Sequence, residues 1–139
     1  MKNIPLLLDT CAAIWIADSQ PISIEASNAM SSAIAAHEPV YVSPITGWEL
    51  GLLVSRGRLR LMTTPQRWFD QLMRAPGLKL ANLSPDVLIA SSFLPGRPPR
   101  DPADRIFAAS VREYGYRLVT RDRLLLDYAK DGHIQALAC

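Results

Sequence analysis

An α/β domain with a central, mostly parallel sheet is predicted by three features of this sequence. A capping residue followed by Pro occurs four times, at Ser43-Pro44, Thr64-Pro65, Ser84-Pro85 and Asp101-Pro102. Short apolar runs of strand length lie between the segments these pairs open. The 139 residues, 49% hydrophobic and 20% charged, suffice for one core and one domain spanning 1–139.

The elements follow in order. Ile4–Leu8 is the first strand, and Asp9 ends it. Ser23 to Ala36, rich in Ala, is a helix. Val40–Ser43 is the second strand, and Ser43-Pro44 opens a helix carrying Ile45, Trp48, Leu52 and Leu53 at helical spacing. Arg56–Leu61 is a helix exit that becomes a turn or a short edge strand. Thr64-Pro65 opens a helix with Trp68, Phe69, Leu72 and Met73 toward the core, and Leu78–Leu83 is the third strand. Ser84-Pro85 starts a helix through Val87, Leu88 and Ala90. A Pro-rich loop, Leu94–Pro102, leads to the helix opened by Asp101-Pro102, which Gly115 closes. Arg117–Thr120 is the fourth strand, Asp122–Lys130 a helix with Gly132 at its exit, and His133–Leu137 the last strand.

Composition narrows the function classes. The net charge of +2 permits a nucleic-acid partner without requiring one, but most of the cations are Arg, whose planar fork suits phosphate. Lys2 before Leu6-Leu7-Leu8 could begin a signal peptide, yet Asp9 interrupts the run and no small-residue cleavage site follows. No stretch reaches the length of a membrane span, and a cytoplasmic protein is expected. Cys11 and Cys139 have no ligand-type spacing, so Cys11 is expected buried in its apolar run and Cys139 frayed at the end.

The acids carry the chemistry. Asp9 follows the first strand, Glu49 lies on the helix after the second, Asp104 in the first turn of the Asp101-Pro102 helix, and Asp122 at the end of the fourth strand. An open parallel sheet binds ligands at the carboxyl ends of its strands, so all four are expected at one edge. Crowded carboxylates repel, and a divalent cation relieves the repulsion. Oxygen ligands without a His or Cys cluster point to Mg²⁺ or Mn²⁺. Caps are the competing reading: Asp101 and Asp122 at helix starts, and Asp104 facing its cap. Asp9, between two apolar segments, needs hydrogen bonds or a metal to be tolerated there. Spacing alone leaves both readings open.

Other chemistries lack their residues. There is no Gly after Asp9-Thr10, no second Asp two residues beyond Asp9, no phosphate-binding Gly loop and no nucleophile elbow. His37 and His133 are read as ordinary residues at element ends.

Four stretches together resemble the PIN-domain ribonucleases, specifically the VapC toxins of bacterial toxin–antitoxin pairs. Leu6-Leu7-Leu8-Asp9-Thr10 resembles the first acidic motif and Ser43 through Trp48-Glu49-Leu50 the second. Asp101-Pro102-Ala103-Asp104-Arg105-Ile106 resembles the third, and Leu118-Val119-Thr120-Arg121-Asp122 the fourth. Arg58-Leu59-Arg60-Leu61 with Trp68-Phe69 is similar to the intervening part of one subgroup. Relatives often have a His before the Arg-Asp-Pro of the third motif; Pro99 stands there instead, which bears on loop shape. The resemblance implies a three-layer α/β/α sandwich and Mg²⁺-dependent hydrolysis of RNA, with Mn²⁺ as a substitute. It implies Asp9 and Asp104 as main metal ligands and Asp122 as a direct or water-mediated one. Glu49 would hold a water or assist a proton transfer, and Thr120 would support them. It also implies a cognate antitoxin and a homodimer.

Arg97, Arg100, Arg105, Arg121 and Arg123 flank the acids, and Arg56, Arg58 and Arg60 cluster at a helix exit. Arg100, Arg105, Arg121 and Thr120 are the expected RNA contacts. Two other readings compete. A different Mg²⁺-dependent phosphotransfer or phosphatase domain is disfavoured by the missing second Asp. A non-catalytic PIN-like module binding RNA or a partner is disfavoured by the presence of all four acids.

Overall fold

Every strand among the described residues is three or four residues long, and each neighbouring pair is parallel. A computed structural model describes residues 4–139; Lys2, weighed above as a targeting residue, lies outside them. The order is β1 (Leu6–Leu8), α1 (Thr10–Ala17), α2 (Ile24–Ala35), β2 (Val40–Val42), α3 (Pro44–Ser55), α4 (Pro65–Met73) and β3 (Leu78–Leu80). Then come α5 (Pro85–Ala90), α6 (Pro102–Tyr114), β4 (Arg117–Thr120), α7 (Arg123–Lys130) and β5 (Gln135–Ala138).

The sheet order is β3-β2-β1-β4-β5, with Leu7 of β1 registered against Tyr41 on one side and Leu118 on the other. The chain first builds outward from β1 to β3. It then returns through α5 and α6 to place β4 on the free side of β1. The strand order therefore reverses beside β1, where an open parallel sheet leaves a crevice.

Two cores pack on the two faces, giving the expected three-layer sandwich. Side chains alternate along a strand. Leu6, Leu8 and Val119 pack with α1, α2 and α4 through Ala12, Ala26, Ala33 and Leu72. Leu7 and Leu118 pack with Phe107, Val111, Leu125 and Tyr128 of α6 and α7. Central strands buried on both faces need apolar residues at every position, which explains the unbroken Leu6-Leu7-Leu8 run.

All four cap-Pro pairs open helices. Ser43, Thr64, Ser84 and Asp101 each accept a backbone N–H of the first turn through the side chain, at 3.1, 3.2, 3.4 and 3.0 Å. Ser23 and Asp122 cap α2 and α7 in the same way. Gly115 closes α6 with φ 73°.

The structure corrects three local readings and decides a fourth. Helix α1 was not foreseen, because Thr10–Ala17 shows no apolar periodicity. Of the two alternatives left open for Arg56–Leu61, the structure shows the turn, followed by irregular chain. Cys11 is exposed and Cys139 buried, since Cys139 N–H donates to the Thr120 carbonyl at 3.0 Å and prolongs the β4–β5 ladder. Trp48 is 50% exposed, while Leu72 is buried and Trp68, Phe69 and Met73 are half-buried against the core as expected.

Candidate active site

Asp9 is 5% exposed and ends the central strand. One carboxylate oxygen, Oδ1, accepts the Ala12 N–H at 2.8 Å and so caps α1. The other, Oδ2, accepts the Thr120 hydroxyl. Its backbone N–H donates to the Val119 carbonyl at 3.1 Å, which fixes it at the β1–β4 seam. Burial raises its pKa, the Thr120 and Ala12 hydrogen bonds oppose the rise, and the nearby Asp122 charge adds to it.

Thr120 is fully buried at the end of β4. Its oxygen also accepts the Asp122 N–H at 3.0 Å. One hydroxyl therefore links the first acid to the backbone of the last. Asp122 is half-buried and caps α7 through the Leu124 and Leu125 N–H groups at 2.8 and 3.1 Å.

Glu49 reaches the site from the second turn of α3, and Thr10 holds it there. The Thr10 hydroxyl donates to Glu49 Oε1 at 2.5 Å and lies 3.3 Å from the Thr46 hydroxyl. Burial raises the Glu49 pKa, Thr10 lowers it, and Asp101 and Asp9 raise it further. Thr10 and Thr46, both buried, escaped the sequence reading as site residues. The signal for Thr10 was a hydroxyl directly after the strand-ending acid.

Asp104 is half-buried in the first turn of α6, with its N–H on Asp101 Oδ2. Its carboxyl is pushed from 3.8 to about 7, first by burial and then by Asp122, Asp101, Glu49 and Asp9. The Cys11 thiol is pushed up to about 11 by desolvation and by the same Asp9, Glu49, Asp104 and Asp122. Four acids spread along the chain thus act on one thiol at the mouth of the crevice.

Among the described residues, no three of His, Cys, Asp and Glu form a ready-made metal cage. The donor chemistry nevertheless fits Mg²⁺, which takes few protein carboxylates and keeps several waters. Asp9, Asp104 and Asp122 are the residues that could hold it.

The expected RNA contacts separate. Arg100 is exposed beside Asp101. Arg105 is instead a clamp for the Pro-rich loop: its guanidinium donates to the Ser91 carbonyl at 2.9 Å and to the Pro99 carbonyl at 3.2 Å. Arg121 lies 3.8 Å over the Trp15 ring and donates to the Cys139 and Pro21 carbonyls at 3.1 and 3.3 Å. Thr120, being fully buried, cannot touch RNA and serves the carboxylates. A cleft of about 730 Å³ opens where the strands begin, beside Pro5, Pro39 and Arg117, and includes none of the four acids. No described helix is long and apolar enough to cross a membrane.

The PIN domain family model matches residues 6–131. Ribonuclease VapC22 of Mycobacterium tuberculosis is 36% identical over 121 residues, covering 86% of this chain and 88% of that protein. Among solved structures, VapBC2 from Rickettsia felis, bound to a DNA fragment from their promoter, has a TM-score of 0.68 at 14% identity, covering 97% of this chain and 98% of that one. PAE2754 from Pyrobaculum aerophilum has a TM-score of 0.61 at 20% identity, covering 97% and 89%. At these identities the two structures share the fold.

Proposed function

The chain belongs to the PIN-domain family, as a relative of the VapC ribonucleases, and from that premise we propose that it is a Mg²⁺-dependent endoribonuclease, the toxin of a toxin–antitoxin pair. The observation that carries this reading is the meeting of Asp9, Glu49, Asp104 and Asp122 at the β1–β4 crevice. A bound Mg²⁺ supplies charge neutralisation and a Lewis acid for the phosphate oxygens.

The protein's own groups do the rest. Asp9, Asp104 and Asp122 are the residues that would hold the ion. Thr120 keeps the Asp9 carboxylate turned into the crevice. Glu49 orients the attacking water and takes its proton, while the water oxygen bonds to phosphorus and one P–O ester bond breaks. The departing sugar oxygen takes a proton from solvent. Burial makes the Glu49 carboxylate more basic than an exposed one, which suits proton transfer. Thr10 leaves Glu49 one oxygen for that work.

The partner of this toxin would be a cognate antitoxin, a reading supported by the VapBC2 neighbour. The working form is a single-domain chain in a cytoplasmic homodimer. The deciding experiment is RNA cleavage with Mg²⁺ and with chelator, comparing the parent with Asp9→Asn. Asn caps a helix as well as Asp does, so the variant keeps the fold while losing a charged ligand. Cleavage should fall by at least about a hundredfold in Asp9→Asn with its melting temperature nearly unchanged. Metal-independent cleavage, or full activity in the variant, would overturn the mechanism.

A further inference from the structure

A smaller cleft shares Glu49 with the acid site, and its other lining residues have no part in the mechanism above. It measures about 180 Å³ and is lined by Trp48, Glu49, Leu52, Arg56, Arg58 and Asp101 among others. It runs along one face of α3 and ends against the start of α6. Of its charged lining residues Glu49 is half-buried, while Asp101, Arg56 and Arg58 are exposed. Trp48 precedes Glu49 directly in sequence and leaves 50% of its surface open.

An indole left open beside a charged cleft has a distinct chemistry. It offers a flat apolar face, and the guanidinium groups next to it offer planar donors for a phosphate. The cleft is below the size range of pockets for drug-sized ligands, so it takes one ring system and not the face of a partner helix. Single-stranded RNA presents such rings once its bases are splayed out, whereas a duplex hides their faces.

We propose that this cleft is a nucleotide subsite, in which Trp48 stacks on one unpaired RNA base beside the bond to be cut, and Arg56 and Arg58 hold the adjoining phosphate. The proposal rests on the nuclease reading for its substrate. Because Glu49 belongs to both the cleft and the acid site, the stacked nucleotide neighbours the scissile phosphate. Stacking is sequence-tolerant, so Trp48 selects for unpaired RNA more than for one base.

The test measures binding without cleavage. A labelled single-stranded 2′-O-methyl oligonucleotide is titrated in chelator into the parent, Trp48→Ala and Trp48→Phe, with anisotropy and intrinsic fluorescence followed together. Trp48→Ala should weaken binding about tenfold. Trp48→Phe, which keeps a stacking ring, should stay within about twofold yet lose most of the tryptophan quenching. An oligonucleotide with an abasic site at the stacked position should bind the parent and Trp48→Ala alike. Melting temperatures of all three proteins should agree, because the side chain is half in solvent. Parent-like affinity in Trp48→Ala would overturn the proposal. So would equal losses in Trp48→Ala and Trp48→Phe, or a Trp48→Ala defect confined to an antitoxin peptide. Oligonucleotide binding that follows this pattern without any Mg²⁺-dependent cleavage would sink the nuclease reading and leave the subsite standing.

Discussion

At Asp104 the proposed Mg²⁺ would compete with protons. The Asp104 carboxyl, pushed to about 7 in the folded chain against 3.8 ordinarily, holds its proton more tightly folded than unfolded. That preference favours the fold fully below the ordinary value and disappears as the pH rises through about 7. Asp9 and Glu49 are shifted in the same direction. The metal-free protein should therefore melt at lower temperature at pH 8 than at pH 5.5. Mg²⁺ should raise the melting point more at pH 8, where the carboxylates are charged and mutually repelled. Thermal melts in chelator and in Mg²⁺ at both pH values check this, and no Mg²⁺ effect at pH 8 would count against it. Thr10 gives a sharper handle on Glu49. Thr10→Val keeps the shape and removes the donor at 2.5 Å. It should lower kcat by about ten- to a hundredfold with little change in KM, as loss of a supporting hydrogen bond at a metal site does. It should also move the acid limb of the pH–rate profile upward, because Thr10 now lowers the Glu49 pKa. Thr10→Ser should restore both, and a profile that stays in place would show Thr10 to be only a packing residue.

The elements that the sequence announced were those with chemical punctuation. Ser43, Thr64, Ser84 and Asp101, each before a Pro, cap α3 to α6 as expected, because a side-chain acceptor and a fixed φ act locally. Helix α1 had no such mark. Asp9 was legible as an acid needing a partner, but its capping role was hidden by the apolar stretch after it, where Thr10, Ala12 and Ala13 are all buried. The convergence of the acids was readable from strand ends. The long-range side-chain bonds, Thr10 to Glu49 and Arg105 to the loop carbonyls, were not, since sequence distance conceals them. The loop before α6 is itself a built element. Besides the Arg105 clamp, the Tyr128 hydroxyl donates to the Pro95 carbonyl at 2.5 Å. The His133 ring sits 4.8 Å from Tyr128 and fills the space over Gly96. Gly96 has φ +68°, and a Cβ there would lie 2.3 Å from His133 Nε2. Gly96→Ala should thus cost about 1–2 kcal/mol from the left-handed backbone alone, with the ring clash added. A lowered urea midpoint checks it, and a parent-like midpoint would show the loop to be loosely held.

At the scale of the whole molecule, acids gather at one sheet edge and arginines border them. On the proposed function, exposed arginines near the acids would draw in an RNA backbone. Arg100, exposed next to Asp101, is the clearest of these cations now that Arg105 and Arg121 are tied to backbone carbonyls. Arg100→Ala should weaken single-stranded RNA binding and flatten the plot of log affinity against log salt by about 0.7 of a unit. Metal binding should stay unchanged. Equal affinity across the salt series would remove Arg100 from the interface. The sheet order has a further consequence, one of timing. Asp9 and Asp122 stand near opposite ends of the chain and meet only because β4 returns to lie beside β1. Synthesis proceeds from the N-terminus, so the acids leave the ribosome one by one, with Asp122 the last of the four. Until β4 has emerged and docked, the nascent chain carries the parts of a cutting centre without the centre. On the proposed ribonuclease reading, that order of emergence would withhold cleavage from the transcript and the machine still making the chain.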